Sequence, residues 1–97
     1  MSFFLAKWPA HSSVHTLIST RSGGVSNAPF DSLNLGDHVG DLIENVQTNR
    51  AIFASTLPTE PLWLKQTHST DVSTPQSRQS TIGEVITADA SVTNRPG

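Results

Sequence analysis

Cysteine is missing from all 97 residues. That absence removes a disulfide framework, a thiolate metal cluster and a cysteine nucleophile from the chemistry these residues can perform by themselves. Positive charge is also scarce. Six Lys and Arg against eight Asp and Glu leave a net charge of −2, and the basic residues are scattered along the chain. The electrostatic footprint of nucleic-acid binding or of an anionic membrane surface is therefore absent, and neither partner is expected. Long hydrophobic runs are missing too. The stretch Met1–Ala10 holds Phe3, Phe4 and Leu5 but is interrupted by Lys7 and Pro9, too short and broken for a signal sequence or a membrane span. A cytoplasmic protein is the expectation.

Leu, Ile, Val and Phe together make up 24 of the 97 residues, above the roughly 20% below which disorder becomes the default. Even with glycine counted, the apolar share stays below the roughly 45–50% usual for globular domains. The length fits one domain over residues 1–97 with a thin core, and a core of that kind leaves a small domain marginal unless something else packs on it.

Val14–Thr20 alternates β-branched and other residues and predicts a strand. From Arg21 to Asp41 the chain is dense in Gly, Ser, Asn, Asp and Pro. This is turn chemistry, but Phe30, Leu33, Leu35 and Val39 are spaced through it as apolar anchors, which predicts an ordered loop. Asp41 followed by Glu44 reads as a helix cap and capping box. Ile43, Val46, Arg50, Phe53 and Leu57 then form one helical stripe that ends at Pro58. Leu62–Gln66 predicts a second strand, Ser73–Ser80 an exposed polar loop, and Glu84–Thr87 and Ala90–Thr93 two short strands. Asn94-Arg95-Pro96-Gly97 is a turn signal.

Three segments could carry chemistry. Arg21-Ser22-Gly23-Gly24 follows a strand; paired glycines permit close backbone approach to a ligand, and Arg21 offers a fork of donors to phosphate or carboxylate. The same residues equally describe a turn in which Gly23 and Gly24 satisfy positive φ and Arg21 is solvated. In Ser32-Leu33-Asn34-Leu35-Gly36, the leucines could pin the backbone while Asn34 faces a ligand, or Asn34 could close an Asx-turn on its own backbone. His68, in Gln66-Thr67-His68-Ser69, follows the second strand and could be a metal ligand, a general base or a structural residue. His11 and His15 carry less signal, and His38 reads as a surface residue.

Taken together, TRSGGVSNAPFDSLNLGDHVGD (Thr20–Asp41), the Asn49-Arg50 pair, LWLKQTHSTDV (Leu62–Val72) and ADASVTNRPG (Ala88–Gly97) resemble, in order and spacing, the YfiH-like laccase-domain family. That family is also labelled polyphenol oxidoreductase and purine nucleoside phosphorylase. The resemblance implies an α/β (α+β) domain with a mixed β-sheet and flanking helices, and a zinc site built from two His and one Cys. It implies phosphorolysis of adenosine, inosine and methylthioadenosine, with adenosine deamination. His68 matches the first His ligand, and Arg21 and Asn34 match positions near the pocket. The family's Cys, in an Ala-Asp-Cys segment, and its second His fall beyond Gly97. Family chains are considerably longer, so this chain reads as an N-terminal portion that binds zinc weakly and turns over no nucleoside alone, with Arg21 and Asn34 on one wall of a pocket facing His68.

Other functions remain in competition. A cysteine-dependent hydrolase of an amide or cell-wall precursor would use the same downstream Cys and His as nucleophile and base. A non-catalytic chain that folds against a partner, either the remaining C-terminal portion or a second copy, would account for the thin core. Multicopper oxidation needs several His and Cys ligands, which four scattered His do not supply.

Overall fold

The computed structural model describes residues 2–79 and 85–95. The chain divides into two compact units, Met1–Thr56 and Leu57–Gly97. The expected mixed sheet is distributed over three two-stranded sheets, one antiparallel and two parallel, accompanied by two helices.

In the first unit, β1 (Phe3–Phe4) pairs antiparallel with β2 (Ile18–Ser19). The strand expected over Val14–Thr20 is therefore shorter. Beyond Phe4 the ladder gives way to a single bond from the Ala6 N–H to the Thr16 hydroxyl, and a turn closed by Val14 N–H to His11 O follows Pro9. The His11 ring accepts from the Ser13 N–H within that turn, which gives this histidine a local structural task.

Helix α1 spans Ile43–Ala54. It starts two residues after Asp41, whose carboxylate is already bonded by Ser26, Asn34 and the Leu42 N–H and so does not cap the first turn. Leu42 occupies the cap position without a side-chain bond. At the other end, the hydroxyls of Ser55 and Thr56 fold back onto the carbonyls of Ile52 and Phe53, ending the helix before Leu57 and Pro58. The buried face also differs from the expected stripe: Val46 and Asn49 are buried, Arg50 and Phe53 half-buried, and Ile43 is exposed. A polar side chain sits at the centre of the helix's inner face.

In the second unit, β3 (Leu64–Lys65) runs parallel to β5 (Ile86–Thr87), and β4 (Val72–Ser73) runs parallel to β6 (Ala90–Ser91). The segment expected as a polar loop over Ser73–Ser80 instead begins with β4 and forms a one-turn helix, α2 (Pro75–Arg78). Its cause is readable: the Thr74 hydroxyl accepts from the Ser77 N–H, the Ser77 hydroxyl accepts from the Thr74 N–H, and Pro75 presets the first helical φ. Ser80, Glu84, Pro96 and Gly97, which fall in the expected tip, strand and final turn, lie outside the described residues.

Among the described residues the buried hydrophobic side chains are Leu33 and Val46 in the first unit and Ala88 in the second, which is the thin core that the composition implied. No helix among them is long and apolar enough to cross a membrane.

Two glycines of the 21–41 loop differ sharply in their surroundings. A Cβ on Gly24 would lie 2.2 Å from the Ser32 carbonyl oxygen and 2.6 Å from the Leu33 Cα, whereas one on Gly36 would meet nothing nearer than 3.5 Å. Gly24→Ala is expected to lower stability in urea by about 1–3 kcal/mol, as overpacking against rigid backbone does. Gly36→Ala is expected to stay within about 0.5 kcal/mol of the parent. Equal losses at the two positions would contradict the packing described.

Candidate functional site

The 21–41 loop is ordered by polar side chains turned inward. Asn49, fully buried on α1, accepts from the Val25 N–H at 2.8 Å and donates to the Ser26 hydroxyl and the Asn34 carbonyl, each at 2.8 Å. The next residue, Arg50, donates from Nε to the Leu35 carbonyl at 2.9 Å and approaches the Asp37 carboxylate at 3.7 Å. Two adjacent helix residues therefore grip the loop at five places, Val25, Ser26, Asn34, Leu35 and Asp37. The loop also closes on itself: the Arg21 carbonyl accepts from the N–H groups of Ser32 and Leu33, and Ser26 N–H donates to the Ser32 carbonyl.

Within this frame, Asn34 has spent its amide. Its Nδ2 donates to the Gly36 carbonyl and to Asp41, and its Oδ1 accepts from the Gly36 N–H. That is the Asx-turn geometry. The Ser26 hydroxyl, then the Asn34 amide and the Leu42 N–H, hold the Asp41 carboxyl below its ordinary value of 3.8 against the opposing effect of burial. Gly23 sits at φ 97°, and Gly24 packs against Ser32 and Leu33, so both glycines meet demands of the loop's own backbone. Arg21 pairs with Asp31, Nε to the carbonyl and a terminal nitrogen to the carboxylate, both at 3.1 Å, while its side chain stays 79% exposed.

The second unit centres on a residue that motif reading left without a role. Six residues, 66–71, separate β3 from β4, whereas only Ala88 and Asp89 separate β5 from β6. The longer connection must bulge, and the Asp89 carboxylate fills the bulge. Its Oδ1 accepts from the N–H groups of Thr67 at 2.9 Å and His68 at 2.7 Å. Its Oδ2 accepts from the Ser69 N–H at 2.7 Å and from the hydroxyls of Ser69 at 2.6 Å and Thr67 at 3.3 Å. The Ser69 hydroxyl and N–H, followed by the His68 and Thr67 N–H groups, drive the Asp89 carboxyl far below the ordinary carboxylate range. His68 at the middle of this cradle has φ 58°, a left-handed conformation that few non-glycine residues adopt. Its side chain is exposed, and no described residue hydrogen-bonds either ring nitrogen.

The structure thus places Arg21 and Asn34 in the first unit and His68 in the second. Among the described residues, no three His, Asp or Glu side chains converge as a metal-holding group. A cavity of about 560 Å³ in the second unit, lined by Glu60, Leu62, Arg78, Ser91, Thr93 and Arg95 among others, includes none of the three.

Comparison with known proteins supplies the kinship. Residues 15–97 match the family described as multi-copper polyphenol oxidoreductase laccase. The chain belongs to this laccase family. It is 47% identical over 91 residues to a purine nucleoside phosphorylase of Pseudomonas aeruginosa and 45% identical over 96 residues to the purine nucleoside phosphorylase YfiH of Escherichia coli. These alignments cover 93% and 94% of the chain but 35% and 37% of the relatives. The chain therefore spans little more than a third of the length of the family members it matches. The crystal structure of a Neisseria meningitidis protein of the DUF152 family superposes with a TM-score of 0.82 at 44% identity, covering 95% of this chain and 37% of that one. The laccase-family fold is thus present in part.

In this family member the loop around Asp41 is expected to respond to acid. The folded carboxyl is depressed, so the stability it contributes is present above pH 4 and is lost as pH falls through the folded value. Asp41→Asn should be less stable than the parent at pH 7, and the difference should shrink as urea midpoints are followed down from pH 5 to about pH 2. A gap that stays constant over that range would contradict the role given to Asp41.

Proposed function

We propose that these residues form part of the active site of a zinc-dependent purine nucleoside phosphorylase, in which His68 is one zinc ligand and Arg21 lies beside phosphate. The observation that carries the reading is the way His68 is held: a fixed backbone and an exposed imidazole engaged by no described residue. A catalytic zinc takes three protein ligands and keeps one position open. One free imidazole fits as a member of that set and does not make the set, so the other ligands come from residues outside these 97. The printed names of the longer relatives, purine nucleoside phosphorylases, support the phosphorylase part of this reading.

When bound, zinc would supply Lewis-acid polarisation at the reacting group. The chain's own residues do the rest of the work assigned here. Arg21 is stiffened by its two bonds to Asp31 and keeps an exposed guanidinium, which suits a tetrahedral anion such as phosphate. In phosphorolysis a phosphate oxygen forms the new bond at the ribose anomeric carbon while the bond to the purine nitrogen breaks, so positive charge on ribose and negative charge on purine must both be met. Asn34 acts at one remove, fixing the loop through Gly36 and Asp41. Adenosine, inosine and methylthioadenosine are the substrates of this reading, with adenosine deamination as a second activity.

One observation favours a second reading, that the chain completes its folding only against a partner, either the portion that makes up the rest of its relatives' length or a second copy. Phe3, Phe4, Leu5 and Trp8 are each between 50% and 60% exposed, a concentration of bare apolar and aromatic surface within six residues.

The 97-residue chain alone is expected to bind zinc weakly and to release no base from inosine and phosphate. In the full-length protein, His68→Ala is expected to lower both zinc content and phosphorolysis, and Arg21→Ala to raise the KM for phosphate with zinc content unchanged. Stoichiometric zinc and turnover by the 97 residues alone would overturn the reading. Full zinc occupancy in His68→Ala would do so equally.

A further inference from the structure

Resting on the reading of His68 as a zinc ligand, the geometry points to Asp89 as the residue that positions it. Both oxygens of the Asp89 carboxylate accept hydrogen bonds from three consecutive residues, Thr67, His68 and Ser69. Three of the five bonds come from main-chain N–H groups, one on each residue, so they fix the direction of the backbone. They converge where the backbone is in a conformation it would leave if released, with His68 at φ 58°. A left-handed turn at a non-glycine residue persists only where its surroundings over-determine it, and here Asp89 is the surrounding.

Asp89 is itself anchored. The parallel ladder continues on both sides of it, through Ala88 N–H to the Lys65 carbonyl at 3.2 Å and its own N–H to the Asp71 carbonyl at 3.1 Å. Ala88 beside it is buried. The carboxylate is thus carried on the two-residue connection between β5 and β6 and projects into the bulge of the longer one. A metal ligand placed on an unrestrained six-residue loop would sample many directions; on this loop the Cα–Cβ direction of residue 68 is determined by a side chain 21 positions away. Residues that orient ligands in this way contribute to metal affinity without touching the metal.

The test uses Asp89→Ala and Asp89→Asn in the full-length protein, with zinc affinity measured by competition against a chelating dye and amide exchange followed at residues 67–69. Asn keeps one acceptor oxygen but presents N–H donors to one of the two groups of bonds, so it guards against an Ala variant that fails to fold. Zinc affinity is expected to fall by about 10- to 100-fold in Asp89→Ala, the range seen when an outer partner of a metal ligand is removed, and by less in Asp89→Asn. The three amides should exchange faster in the same order. Ser73→Ala, which removes the buried acceptor of an Arg78 bond elsewhere in the unit, should lower the melting temperature without lowering zinc affinity. Faster exchange in the Asp89 variants with zinc affinity within twofold of the parent would overturn the positioning role. If His68→Ala binds zinc as the parent does, the zinc reading itself fails, and the positioning role with it, while the hold of Asp89 on the loop backbone is read separately from the exchange data.

Discussion

The Asn49 side chain is the constraint on which the first unit depends. A fully buried primary amide must find partners for two N–H groups and a carbonyl oxygen or destabilise the fold by roughly 1–3 kcal/mol for each group left bare. Asn49 finds them in Val25, Ser26 and Asn34. Meeting that demand brings two stretches of loop, 24–26 and 34–35, against one face of α1. The remaining features follow from the fit. Gly24 has to lack a side chain because Asn49 and the Ser32–Leu33 backbone fill its space, and Ser26 is left facing Asp41, which in turn takes up Asn34.

The second unit repeats the device with a carboxylate. Asp89 collects five donors from three residues, as Asn49 collects its bonds from three. In each case one polar side chain, on a helix or on a two-residue connection between strands, shapes a longer irregular segment, and that segment carries the residues with chemical potential: Arg21 in one unit and His68 in the other. This division of labour suits a chain with few buried apolar side chains. Directed hydrogen bonds give a loop a single conformation where hydrophobic packing supplies little.

Part of this was legible in the sequence. Four motifs in order were enough to place the chain in its family, and α1 followed from the spacing of Val46, Arg50 and Phe53. Its start did not, because Asp41 looks like a cap until Ser26 and Asn34 are seen to occupy it, and those partners are 15 and 7 residues away. Asn49 passed as part of a pair without a role, since a stripe read from apolar residues skips the polar one at its centre. The α2 turn had a local signal in Thr74-Pro75 and Ser77 that the surrounding Ser and Gln obscured. Asp89 had none: its partners lie some 20 residues back along the chain, and only the parallel register of β3–β5 and β4–β6 brings them together. Capping and periodicity are local and readable; the closure of a loop on a distant side chain is not.

The claim that a buried amide organises the loop is tested most directly by native-state amide exchange in Asn49→Ala. Two amides separate its effect from general destabilisation: Val25, which donates to the Asn49 side chain, and Val46, which donates to the Leu42 carbonyl within the helix. The account predicts that Val25 loses protection by about tenfold or more, the equivalent of roughly 1.4 kcal/mol for one bond at a buried site, while Val46 retains most of its own. Val25 protection unchanged from the parent would contradict it.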